Sequence, residues 1–318
     1  MLTAYTRSGE PSTNTLVKKI VNLRTDLPQD AVWVDLNDPT DQERNWVKEQ
    51  YAQELQFIEE LGEIEASSRY YRDETGLHIN LYFLALENGL ARNVNVAFTI
   101  NNHRLFTLRT DELPEIRAFY SHAAKIADEF PNPASMLLGL VATRVGMMAD
   151  VYEEMQRELD AISGSIFRTK SRELQSVLES LARIEDINGK ARLGFMENKR
   201  AYSNLSRNAD LAVSAETMNE VLRDVESLMN FSDFLADRTK FLMDAAIGVI
   251  NIAHNRRINV FTVLSVVLMP PTLIASIYGM NFKHMPELEW LWGYPMALVM
   301  MIAVALGPIL FLRHKGWL

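Results

Sequence analysis

Residues 258–281 read INVFTVLSVVLMPPTLIASIYGMN, and no Lys, Arg, Asp, Glu or His occurs from Ile258 through Phe282. At ~1.5 Å rise per residue, the run from Ile258 to Tyr278 spans about 31 Å as a helix, the thickness of a bilayer's hydrocarbon core. A second uncharged run, Trp290 to Leu312, follows after only a few polar residues. Spans this close together form a hairpin that crosses the membrane and returns. A buried helix of a soluble core is the other reading, but such helices rarely run so far without a charge.

Charge is unevenly placed along the chain. Of 32 Lys and Arg, five fall from Arg256 onward, and of 41 Asp and Glu, two do; residues 1–255 keep 27 against 39, a net charge of −12. So acidic a region disfavours nucleic acid, whose backbone demands basic surface. It suits a protein that meets cations, although solubility alone also favours negative charge. There is no cysteine, hence no disulfide framework and no thiolate metal site. Met1 to Glu10 lacks the apolar core of a signal peptide, so the N-terminal region is expected to stay where it is made. Arg256 and Arg257 precede the first span and Arg313 and Lys315 follow the second, while the connecting loop has one Lys and two Glu. By the positive-inside rule both termini are cytoplasmic and the loop is external.

Ala31 to Leu36 reads as a strand. Thr40 and Glu43 are spaced as a capping box opening a helix to about Tyr51. A second helical pattern covers Phe57 to Ala66. Strand-like runs follow at Ser68–Asp73, Leu77–Leu86, Val94–Ile100 and Leu105–Thr110, separated by Glu74-Thr75-Gly76, Glu87-Asn88-Gly89 and Asn101-Asn102. This order predicts an α+β cytoplasmic domain with a largely antiparallel sheet, over residues 1–130. Residues 131–257 read as long helices: Ala134–Ser163, Arg172 to about Arg207, and one opening at a second capping box, Thr217 with Glu220. From Thr217 to Met269 there is no proline and one glycine, Gly248, so a single helix of ~80 Å is expected to run from this stalk into the membrane. The remaining divisions are 258–282 for the first span, 283–289 for the loop, 290–312 for the second span and 313–318 for a basic tail.

No P-loop, dinucleotide fingerprint, metal-spaced His pair or nucleophile with an arranged base is present, and nothing argues for an enzyme or an organic cofactor. The six histidines form no cluster in sequence.

Asp244, Gly248, Asn251 and Asn255 recur at helical spacing, and the stripe continues through Asn259, Thr262, Ser265, Met269, Thr272 and Ser276. Small polar residues in a membrane helix serve helix packing or line a pore, and the pattern by itself leaves both open. The second span has almost no polar side chains and reads as lipid-facing. One hairpin cannot enclose a pore, so conduction requires several copies. Pro270 and Pro271 remove two backbone donors from the first span and are expected to bend it.

The first span ends in Tyr278-Gly279-Met280-Asn281. Met285-Pro286-Glu287-Leu288 and Trp290 follow, and the chain closes with Arg313, Lys315 and Trp317-Leu318. This combination resembles the CorA family of magnesium and cobalt channels. The resemblance extends over the whole chain. It implies a funnel-shaped homopentamer in the inner membrane that conducts Mg²⁺ passively, driven by the membrane potential, with Co²⁺ and Ni²⁺ as lesser substrates. Gly279, Met280 and Asn281 then form the selectivity filter, whose neutral oxygens accept hydrogen bonds from a hydrated ion that sheds water reluctantly. Gly279 is expected to permit a backbone turn that other residues resist. Asp244, Asn255, Thr262, Ser265, Thr272 and Ser276 line the pore, with apolar constrictions near Ile258 or Phe261 and at Met269. The resemblance further implies closure by Mg²⁺ bound between subunits at Asp224, of the Arg223-Asp224-Val225 run, with Glu87. Two departures stand out: Lys283 replaces an acidic residue after Asn-Phe, leaving Glu287 and Glu289 as the loop's acids, and Asn259 stands where relatives often have Lys. A zinc transporter of the same superfamily and a membrane-anchored scaffold or sensor are the alternatives.

Overall fold

The computed structural model describes residues 1–8, 15–22, 28–55, 69–87, 89–101, 103–168, 173–206, 215–280 and 285–316. They form two compact units, residues 1–166 with 175–243, and residues 167–174 with 244–318.

The first unit is built on seven strands: β1 (Leu2–Ser8), β2 (Thr15–Val21), β3 (Ala31–Asn37), β4 (Tyr70–Arg72), β5 (Leu77–Glu87), β6 (Leu90–Ile100) and β7 (Leu105–Arg109). Their order is β2-β1-β3-β7-β6-β5-β4, antiparallel throughout except for the parallel pair β3 and β7. The expected strands from residue 31 onward are therefore present. β1 and β2 are additions; β1 is an interior strand, second from one edge, with Leu2 to Thr6 buried on both faces. Such a strand shows no alternation of polar and apolar residues to betray it. The β5–β6 hairpin closes with Glu87 opposite Leu90, and Gly89 adopts φ 80°, the left-handed conformation a two-residue turn requires. Gly76 is needed for a different reason: a Cβ there would lie 2.5 Å from the Ile100 carbonyl oxygen.

Helix α1 (Asp41–Tyr51) starts at the expected capping box, with the Glu43 amide donating to Thr40 Oγ1 at 3.2 Å and the Thr40 amide to Glu43 at 2.9 Å. Val47 packs into the core cluster of Leu2, Val34, Leu36 and Phe106. On Trp33, which has no exposed surface, Tyr5 stacks at 4.1 Å and Phe119 of α2 (Pro114–Ala123) packs edge-on at 5.6 Å. Beneath them lies a buried ion pair, Arg109 gripping both oxygens of Asp35 at 3.1 and 2.8 Å. Burial raises the Tyr5 hydroxyl's pKa, with Asp35 adding to the effect. The helical pattern expected over 57–66 lies outside the described residues.

Three long helices complete this unit: α3 (Pro133–Ser165), α4 (Leu174–Ser206) and the first part of α5 (Ala215–Tyr278). Alongside β5, beyond its short pairing with β4, Asn198 of α4 takes a strand's place: Tyr82 N donates to Asn198 Oδ1 at 2.9 Å and Asn198 Nδ2 donates to the Tyr82 carbonyl at 2.8 Å. Buried Asn188 and Ser232 tie α4 to α5 by two hydrogen bonds of 2.9 and 2.8 Å. The capping box expected at Thr217 is corrected, because α5 is already helical at Ala215 and Thr217 lies within its first turn.

Candidate functional site

In the second unit α5 continues through Pro270 and Pro271 without interruption to Tyr278, and α6 covers Gly293–His314. Each proline lacks an N–H, so the carbonyls of Val266 and Val267 lose their usual helical donors. The short turn Pro286–Glu289 precedes α6.

Burial sorts the faces of both helices. On α5 the less exposed positions of the membrane stretch are Val263, Val267, Pro270, Pro271, Ile274 and Tyr278; on α6 they include Ala297, Met301, Val304, Pro308 and Leu312. Both sets recur every three to four residues, the signature of two helices each packed along one stripe. At 100° per residue, Thr262, Ser265, Met269, Thr272 and Ser276 centre about 180° away from the packed stripe of α5. All five are exposed, as are Asp244, Asn255, Ile258 and Phe261. The small side chains of Ser265, Thr272 and Ser276 leave a shallow groove along α5, walled by Leu264, Leu268, Met269 and Leu273. Thr272 turns its hydroxyl back to the Leu268 carbonyl at 2.8 Å, so its methyl group is left to the groove.

At the end of α5, Gly279 N donates to Ala275 O at 2.9 Å and Met280 N to Ile277 O at 3.2 Å. The expectation of a special turn at Gly279 is corrected: its φ is not positive. A Cβ at Gly279 would lie 3.1 Å from the carbonyl oxygen of Ala275, one turn earlier, a tight contact. Met280 is exposed. Asn281 lies outside the described residues, as does the side chain of Glu287; Glu289 is exposed.

The remaining sequence-predicted residues belong to the first unit. Asp224 is on the exposed side of α5, between half-buried Leu222 and buried Val225. Glu87 is exposed at the end of β5, 3.8 Å from Arg92. Among the described residues no three His, Cys, Asp or Glu side chains converge closely enough to hold a metal ion. α3 is also apolar and long enough to cross a membrane, but half of its apolar stretch is buried, with Leu140, Val141 and Met148 in the core of its unit; outside their packed stripes the apolar stretches of α5 and α6 are left open.

An α+β domain and long helices that end in a paired, uncharged and uncovered hairpin define an integral membrane protein of the two-span type. The chain belongs to the CorA family: residues 28–314 match the family model described as CorA-like Mg2+ transporter protein. It is 44% identical over 91% of its length to a magnesium transport protein CorA of Salmonella typhimurium, covering 92% of that protein. It is 43% identical, with the same coverage of both chains, to the Escherichia coli K12 protein of that name. Its fold matches the complete structure of the CorA magnesium transporter from Methanocaldococcus jannaschii with a TM-score of 0.75 and 18% identity, over 100% of this chain and 99% of the other.

Proposed function

We propose that this chain is the subunit of a magnesium channel, a funnel-shaped homopentamer in the inner membrane with both termini cytoplasmic, through which Mg²⁺ moves passively down the membrane potential. The observation that carries this reading is the disposition of the polar stripe. Its five positions face away from the packed side of α5, so the chain's own second span does not cover them. Five copies arranged with these stripes inward would turn Thr262, Ser265, Met269, Thr272 and Ser276 into successive rings, with α6 outside against lipid. The relatives' names support magnesium over zinc.

In this arrangement Gly279, Met280 and Asn281 ring the outer mouth. Their oxygens offer hydrogen bonds to the water shell of Mg²⁺, which sheds that shell reluctantly, so a hydrated ion is selected without being held. Ile258 or Phe261 and Met269 narrow the path with apolar rings, and Asp244 and Asn255 gather ions at the inner mouth. The sensor is Asp224 with Glu87 of a neighbouring subunit. Unscreened carboxylates there repel by about 1–4 kcal/mol near a surface, and a dication between them favours the closed state by its differential affinity. Co²⁺ and Ni²⁺ are minor substrates.

The test is flux into liposomes containing only this protein. Mg²⁺ influx that grows with an inside-negative potential and exceeds Zn²⁺ influx supports the reading. Absence of Mg²⁺ flux from a correctly inserted oligomer overturns it and favours a membrane-anchored scaffold. Zn²⁺ flux in preference to Mg²⁺ reassigns the substrate.

A further inference from the structure

Amphipathic aromatic side chains are sorted along the hairpin. Between Ile258 and His314 the chain has two Trp and two Tyr, and all four, Tyr278, Trp290, Trp292 and Tyr294, lie at its loop end. The spans themselves carry Phe261 and Phe311, aromatics with no polar edge. Tyr278 is half-buried on the packed stripe of α5, but Trp290, Trp292 and Tyr294 are 59%, 77% and 76% exposed, and Leu291 among them is 99% exposed. The proposed ion route uses none of these exposed side chains.

The backbone ties the cluster to α6. Gly293 N donates to Trp290 O and Met296 N to Trp292 O, both at 3.0 Å, so whatever holds these side chains holds the start of the helix. The uncovered surface then continues down α6 through Val299, Ile302, Leu306 and Leu310, spaced by three and four residues and all exposed. Trp292 stands two turns before Val299, at the head of that stripe.

A ring with an apolar body and a polar edge is at home neither in water nor in hydrocarbon, and such side chains concentrate at the level of the lipid headgroups. The far end of α6 has the other kind of anchor, the cations Arg313 and Lys315. Trp292 and Arg313 are 21 residues apart, about 31 Å of helix, which is the thickness of the hydrocarbon core. A helix pinned at both ends, one bilayer apart, has little freedom to slide. We propose that Trp290, Trp292 and Tyr294 dock into the phospholipid headgroup interface at the loop end and, with Arg313 and Lys315, fit α6 to one bilayer thickness. This rests on the hairpin's spanning the membrane, and on nothing about which ion moves.

The chain has no cysteine, so Leu291→Cys takes a spin label as the sole reporter. The full-length protein is placed in phosphatidylcholine liposomes of short, intermediate and long acyl chains. Depth is read from the label's accessibility to membrane-dissolved oxygen against a water-soluble nickel chelate. The label is expected at headgroup level in all three bilayers. With Trp290→Ala and Trp292→Ala added, its depth is expected to shift by about 3 Å or more between short and long chains, two residues of helix rise. Trp290→Phe with Trp292→Phe keeps the bulk, should the alanine variant fail to assemble, and is expected to shift the label too; Trp290→Tyr with Trp292→Tyr keeps the polar edge and is expected to restore it. Equal depths with and without the indoles, a label reached by nickel alone, or a label reached by neither agent because a neighbouring copy covers it would each overturn the proposal. Ile302→Cys, deeper on α6, is the control. Lack of oxygen contact there removes the spanning hairpin itself, whereas oxygen contact there beside a flat Leu291→Cys result removes only the anchor.

Discussion

Trp33 and Trp292 put the same side chain into opposite surroundings: the first has no exposed surface, whereas 77% of the second is open. Around Trp33 the chain supplies its own cover, from Tyr5, Phe119 and the indole donor's partner Thr107 at 3.2 Å. Around Trp292, Leu291, Val299 and Phe311 the chain supplies little. Apolar surface on that scale is stable only where the solvent is itself apolar. Polar groups obey the reverse rule in the two units. The sheet domain buries Asp35, Arg109, Asn188, Asn198 and Ser232, each inside a bonded network. The hairpin's packed faces hold no charged side chain, and its small polar ones lie along the open stripe. The lesson is that a buried polar residue of the first unit ties elements together, whereas the small polar residues in the membrane stretch of α5 are left uncovered by the chain.

The largest effect that would break this contrast is at the filter. Asn281→Ala is expected to abolish Mg²⁺ uptake while the oligomer and the unfolding of the sheet domain stay unchanged; full uptake by an inserted oligomer would show the triplet to be only a helix end. Next is the stripe itself. Ser265→Leu should reduce flux at least about tenfold by filling the groove and removing a polar ring, whereas Val299→Leu on exposed α6 should leave flux within about twofold; equal effects would erase the distinction between the faces.

Within the domain, Asp35→Ala strands the Arg109 guanidinium in a buried site and should destabilise by about 3–5 kcal/mol, measured by denaturant unfolding, with no change in ion preference of the folded remainder. Asn198→Ala removes the side chain that completes the edge of β5 and is expected to cost about 1–3 kcal/mol. The smallest effect is a titration. Asp73 is lowered from 3.8 to about 2; burial works in the raising direction, but hydrogen bonds from Thr75 and His78 outweigh it. Because the folded value lies below the unfolded one, this stability is present above pH ~4 and is lost as pH falls toward 2. Asp73→Asn should flatten the domain's stability profile in that window alone; an unchanged acid limb would remove Asp73 from the network.

Much of the fold was legible because it rests on local rules. Thr40 and Glu43 announce the start of α1, and β5 and β6 are long runs separated by Asn-Gly. The hairpin is read from the absence of charge. The start of α5 was misplaced at Thr217 because capping residues also occur inside first turns. Gly279 was credited with a special turn, but its φ is not positive.

By itself, then, the sequence determined which segments live in water and which in lipid, since transfer of charge and of apolar surface is a property of each segment alone. It determined also the polar stripe on α5, because helical periodicity orders side chains without any partner. Only the tertiary structure decided that this stripe lies opposite the packed face, since which side of a helix is covered depends on α6. It alone put β1 inside the sheet between β2 and β3 and set β3 parallel to β7, 72 residues of chain apart at Asp35 and Thr107. It alone buried Glu115 within electrostatic reach of Arg144. Such pairings join residues remote in sequence, and their energies come from desolvation and contact that exist only once the chain has closed on itself.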